Sequence, residues 1–125
     1  MKSLFKRQLL KLFPLIITAN FCVYTLPAIA NSMPFSQTEI ERELQTIPQW
    51  QQSEQTITRT FKFKNFPEAI AFVNRLVEPA EAAGHHPDLS IAYNKVTVAL
   101  TTHDAGGLTD KDFSLAKTIA DLAQQ

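Results

Sequence analysis

A disulfide bond within the chain is excluded at the outset, because the 125-residue sequence holds a single cysteine, Cys22. Glycine is scarce, with three in all, and the one Gly-Gly pair, Gly106-Gly107, lacks the spacing of a phosphate-cradling loop, so its expected role is flexibility. There are no internal repeats or low-complexity stretches, which excludes solenoid and array folds. Neither charge is in excess, with 12 basic and 12 acidic residues. Only one run is apolar enough to suggest a membrane.

That run belongs to the first thirty residues. Lys2, Lys6, Arg7 and Lys11 make a basic start, Leu12 to Leu26 is largely apolar, and Ala28-Ile29-Ala30 has the small-x-small pattern of a cleavage site. The expectation is a secretory signal peptide over residues 1–30, cut before Asn31, with a mature domain over 31–125. A membrane anchor is the competing reading, weakened by Pro14, Asn20 and Pro27 within the span. After cleavage the chain keeps no stable membrane anchor and is exported, to a periplasmic or other extracytoplasmic compartment.

Cleavage also changes the charge and the cross-linking. Four of the 12 basic residues and none of the 12 acidic ones lie in the leader, leaving 8 against 12, a formal charge of −4. A mildly acidic domain with scattered lysines has no basic patch, so no nucleic acid partner is expected. Cys22 leaves with the leader, and the domain must be held by its core, with burial between subunits as a supplement.

Periodicity and punctuation give the elements. Ser36-Gln-Thr-Glu39 spells a capping box for a helix from about Gln37 to Thr46, ended by Pro48. Gln51 to Gln55 is a weak strand or irregular arm. From Thr56, Ile57, Arg59, Phe61 and Phe63 alternate with Thr58, Thr60 and Lys62, the pattern of a half-buried strand. Asn65, Pro67 and Glu68 open a helix that runs to about Ala83 before Gly84, with Ile70, Val73, Asn74, Val77 and Glu81 near one stripe; Pro79 should kink it. Leu89–Tyr93 and Val96–Thr102 form a hairpin joined at Asn94-Lys95, where Asn is suited to a positive φ. Thr109-Asp-Lys-Asp112 opens the last helix, to about Ala123, with Asp112 as the carboxylate of its cap. This order gives an α+β fold, an antiparallel sheet with helices on one face.

All three histidines fall around that hairpin: His85 and His86 just before it, His103 just after. Imidazole moves protons near neutral pH, its unperturbed pKa lying near 6.5, so histidines around one cleft make a proton-transfer site. Two other readings stand beside this one. A His pair can be a satisfied polar network, and three histidines can hold Zn²⁺, although an adjacent pair is not the i, i+4 spacing of a helical zinc motif.

The run Glu81-x-x-x-His85-His86-Pro87, with Tyr93 after five residues, His103 after nine more and Asp112 after another eight, closely resembles the pterin-4a-carbinolamine dehydratase family. The likeness extends through Tyr93-Asn94-Lys95-Val96, Thr102-His103 and Gly107-Leu108-Thr109 and covers residues 36 to 123. The resemblance implies a four-stranded antiparallel sheet covered by three helices. It implies dehydration of 4a-hydroxytetrahydropterin to the quinonoid dihydropterin, with no metal and no organic cofactor. His85, His86 and His103 match the catalytic histidines, the first and third most directly tied to proton transfer. Glu81 and Asp112 match acidic positions near the pterin cleft, and Pro87, Thr101, Thr102 and Asp104 positions that line it, with Trp50 close by. The expected partners are a small-molecule pterin and further copies of the chain, as a homodimer or homotetramer. An exported interaction module with the same fold is the alternative.

Overall fold

The computed structural model describes residues 33–125. The expected signal peptide and its cleavage point lie outside the described residues. Among those described, no helix is long and apolar enough to cross a membrane.

The chain runs α1 (Gln37–Leu44), β1 (Gln51–Ser53), β2 (Thr56–Lys62), α2 (Phe66–Arg75), α3 (Val77–Ala83), β3 (Asp88–Ala92), β4 (Lys95–Leu100), a 3₁₀ turn (His103–Ala105) and α4 (Asp110–Leu122). The strands form one antiparallel sheet in the order β1-β2-β4-β3. Register pairs Ile57 with Leu100, Arg59 with Val98 and Phe61 with Val96, which puts the apolar residues of both central strands on one face. That face is buried under the helices, whereas Thr60, Lys62 and Lys95 on the other are exposed. The fold is α+β, as the pattern predicts. Arg59 shares the inner face by laying its guanidinium 4.2 Å over the Phe61 ring, and burial pushes that guanidinium below its ordinary pKa.

Where one helix is expected from the Asn65 cap to about Ala83 there are two, α2 and α3, meeting at Leu76. Proline has no N–H to donate and its ring crowds the carbonyl four residues back, here Arg75. Pro79 therefore sits in the first turn of a new helix, where the missing N–H costs nothing, and the first bond of α3 is Ala80 N–H to Leu76 O at 3.1 Å. Counted as one broken unit, α2 and α3 make the third helix of the expected architecture.

The buried stripe of this unit differs from the expected one. Ala69, Phe72, Leu76 and Ala80 are buried, while Asn74 and Val77 are exposed. Phe72 decides the rotation: its ring lies 4.9 Å from both Phe61 and Phe63, a contact that outweighs the smaller apolar residues of the other stripe.

Two connections also differ. The hairpin turn is Tyr93-Asn94, not Asn94-Lys95, and Tyr93 takes the positive φ, 53°. Asn94 is held elsewhere, its side-chain amide donating to Phe63 O at 2.6 Å and its carbonyl accepting from Phe63 N–H at 2.8 Å. The Gly106-Gly107 loop is structured. Gly106 adopts φ 70°, Thr102 and Gly107 bridge across it, and a Cβ on Gly107 would meet Pro34 Cβ at 3.2 Å. The segment before α1 is fastened there as well: Phe35 N–H donates to Leu108 O at 2.7 Å, and its ring stacks on Phe113 at 5.8 Å.

Candidate active site

Three local devices bring the chemistry-bearing residues together. The first ends α3. Gly84, at φ 55°, donates to Glu81 O, and His85 N–H reaches back to Ala80 O, the two bonds of a Schellman motif. This turns the chain sharply and sends the His85 ring inward. The second is the close of β4, which ends at Leu100, before Thr101 and Thr102, because Thr102 leaves the ladder to bridge with Gly107. The third is the α4 capping box, in which Thr109 and Asp112 bond each other's backbone.

Their products meet at Asp112, which is fully buried. Its Oδ1 lies 2.7 Å from His85 Nε2. Its Oδ2 accepts from Thr102 Oγ1 and from Thr109 N–H, both at 2.8 Å. Thr102 and Thr109 hydroxyls are themselves 2.8 Å apart. His85 is 8% exposed, so this is a nearly sealed His–carboxylate pair in which both carboxylate oxygens face donors.

His86 points the other way. Its Nε2 lies 2.8 Å from Glu81 Oε1, and both side chains are largely exposed. Glu81, His86 and Pro87 rim an apolar groove of about 190 Å³ whose walls are Val73, Leu76, Val77, Ala80 and Leu89. The groove opens beside the break at Leu76, so the helix interruption shapes it.

The remaining candidates are placed less tightly. His103 and Asp104 are exposed in the 3₁₀ turn, and no side-chain hydrogen bond ties either of them among the described residues. His103 follows Thr102 directly, so it stands next to the Asp112 network by connectivity. Thr101 is half-buried just after β4. Trp50 is in the core, edge-on to Phe61 at 6.2 Å, and lines a separate cleft with Thr46, Arg59, Lys117 and Gln124. None of the candidate site residues borders that cleft.

Thr109 is the participant that motif reading assigns only to a helix start. The signal for it was the Thr109-x-x-Asp112 capping box, but nothing local says that the carboxylate also reaches His85, 27 residues away. Among the described residues, no group of three or more His, Cys, Asp or Glu side chains could hold a metal ion. The two adjacent histidines each turn Nε2 to a different carboxylate and do not converge on one point.

A sealed Asp–His pair beside two open histidines can exchange protons with a bound molecule without covalent or redox chemistry. Residues 33–122 match the pattern of the family described as pterin 4 alpha carbinolamine dehydratase. A relative from Picosynechococcus, named provisionally as a pterin-4-alpha-carbinolamine dehydratase, is 64% identical over 87 residues, covering 70% of this chain and 95% of the relative. One from Thermosynechococcus vestitus with the same provisional name is 59% identical over 88 residues, covering 70% and 93%. A crystal structure from Brucella melitensis, described as a transcriptional coactivator/pterin dehydratase, superposes with a TM-score of 0.70 at 35% identity, covering 72% of this chain and 98% of that one. With its fold, its His85-His86-Pro87 run and its match over residues 33–122 in agreement, the chain belongs to the pterin-4a-carbinolamine dehydratase family.

Proposed function

We propose that the protein dehydrates 4a-hydroxytetrahydropterin to the quinonoid dihydropterin by acid/base catalysis at His85, His86 and His103. The observation that carries this reading is the buried His85–Asp112 pair, because a nearly sealed imidazole on a sealed carboxylate is an arrangement suited to proton transfer. The reaction needs an acid at the departing 4a-hydroxyl and a base for the N5 proton, and its electrons balance with neither oxidant nor reductant. Imidazole serves both ends, each typically contributing about 10²–10⁴-fold. His86, paired with Glu81 at the rim of the apolar groove, orients the substrate, and Pro87, Thr101 and Asp104 line its path.

The test is turnover of 4a-hydroxytetrahydropterin. His85→Ala and His103→Ala each lower the rate by about 10²-fold or more with folding intact, read by circular dichroism. Exhaustive chelation leaves the rate unchanged, since the two paired imidazoles do not converge on a shared ligand position. Wild-type protein no faster than the spontaneous reaction would overturn the reading and favour the second one, an interaction module, which the coactivator description of the Brucella protein supports. We propose further that the chain is exported after cleavage at Ala30-Asn31, which the basic start and apolar run of the leader support and mass spectrometry of the N-terminus tests. Self-association as a dimer or tetramer, supported by the exposed Val77, Leu89 and Ile91, is read by light scattering.

A further inference from the structure

We propose that His85 is the base of the dehydration, acting through Nδ1, and that Asp112 is the positioning residue that leaves this nitrogen free, with Thr102 and Thr109 fixing Asp112 in turn. The assignment of the base rests on the dehydratase reading; the positioning stands on hydrogen-bond accounting alone.

The accounting closes at each atom. Asp112 lies in the first turn of α4, where free N–H groups and the helix dipole favour an anion, and a carboxylate only accepts. Thr102 therefore spends its one hydroxyl proton on Oδ2. Its 2.8 Å contact with Thr109 is then donated by Thr109, whose oxygen accepts from Lys111 N–H at 3.3 Å. Protons run one way along this chain, and they converge on Asp112. With Oδ2 holding two donors, Oδ1 is turned to His85, and His85 Nε2 carries the hydrogen of their 2.7 Å bond. Neutral His85 is thereby the Nε2–H tautomer with a lone pair on Nδ1. Nδ1 has no partner among the described residues, where the one nitrogen sealed without a partner is Trp50 Nε1. The open edge of the His85 ring is thus its basic edge.

In the reaction, Nδ1 takes the proton from N5, the pair left on N5 forms the C4a=N5 bond, and the C4a–O bond breaks with the oxygen leaving as water on a proton given by the acid. The imidazolium so formed faces the Asp112 carboxylate. Asp112 and the Thr102 hydroxyl are then committed behind the ring, which reassigns both from pocket lining to support.

Asp112→Asn gives a directional test. Thr102 O–H and Thr109 N–H hold the amide oxygen where Oδ2 was, so the NH₂ group faces His85, Nε2 must accept, and the proton moves to Nδ1. Imidazole ¹⁵N spectra of ligand-free full-length protein, recorded well above pH 6.5, are expected to show His85 as Nε2–H in the wild type and Nδ1–H in Asp112→Asn. Turnover of the variant is expected to fall about 10²–10⁴-fold in kcat with little change in KM, as when a wrong tautomer replaces a right one. Thr102→Val, which removes one of the two donors that orient the amide, partly restores the Nε2–H form when added to Asp112→Asn. A wild-type His85 protonated at Nδ1 overturns the positioning claim without any variant having to fold. A tautomer that flips while kcat stays within about 3-fold overturns the assignment of the base. If the wild-type protein lacks turnover, the dehydratase reading and the base fail together, and the spectra still decide the positioning.

Discussion

Four described residues hold left-handed backbone, Glu54, Gly84, Tyr93 and Gly106, and the pair Gly84 and Tyr93 separates a residue suited to it from one that is not. Gly84 adopts φ 55° with open space where a Cβ would stand, so Gly84→Ala meets no steric neighbour and its cost isolates the backbone term, about 1 kcal/mol. A denaturation midpoint unchanged by this substitution would refute the account of how His85 is turned inward. Tyr93 adopts φ 53° with a bulky side chain that is 69% exposed, so it gains little from burial in return for the strain. Tyr93→Asn is expected to stabilise by about 0.5–1 kcal/mol, because Asn visits this region more readily and few contacts are lost. Urea denaturation measures both changes, and they have opposite signs. Gly84 was legible in the sequence because it follows a helix. Tyr93 was not, because Asn94 is claimed by Phe63, a partner 31 residues away.

At the scale of the element, what depends on neighbours in the chain was readable and what depends on packing was not. The capping boxes at Ser36–Glu39 and Thr109–Asp112 form as written, since each needs only the spacing of two side chains within one turn. The rotation of α2 escaped because Phe72 chooses its stripe by meeting Phe61 and Phe63 across the core. So did the pairing of His85 with Asp112, although both were named from sequence, because their separation is closed by a sheet and a loop. Pro79 was read correctly as an interruption, and Pro79→Ala should give residue 79 an amide that bonds Arg75 O and resists hydrogen exchange; a freely exchanging amide would place the cause of the break elsewhere. The α1 capping box carries a pH signature. Hydrogen bonds from the Ser36 side chain and backbone hold the Glu39 carboxyl below its ordinary value. A lowered folded pKa contributes stability above the unfolded value of 4.5 and loses it as pH falls through the folded one. Glu39→Gln should therefore flatten the acid limb of the stability curve and leave its slope above neutral pH unchanged.

For the molecule as a whole, the absence of disulfides puts the burden on one hydrophobic core that joins the sheet, α2 and α4. The segment before α1 adds to it from outside. Phe35 stacks on Phe113, its N–H reaches Leu108 O, and Pro34 packs so close to Gly107 that a Cβ there would be 3.2 Å away. This strap crosses the loop that leads to Thr109 and Asp112, so it could serve either the stability of the domain or the geometry of the proton chain. The hydrogen bonds decide between these. Asp112 takes its donors from His85, Thr102 and Thr109, and none comes from the strap. Phe35 is half-buried, so removing its ring should cost less than the 3–5 kcal/mol of a fully buried phenylalanine, about 1–3 kcal/mol. Phe35→Ala is expected to lower the urea midpoint while unfolding stays a single transition by fluorescence of the lone Trp50 and by circular dichroism. The His85 tautomer and the turnover of the folded fraction are expected to match the wild type. A loss of turnover as deep as that of Asp112→Asn would make the strap part of the active site, because it would mean that the position of α4's first turn depends on Phe35 and not on its own cap.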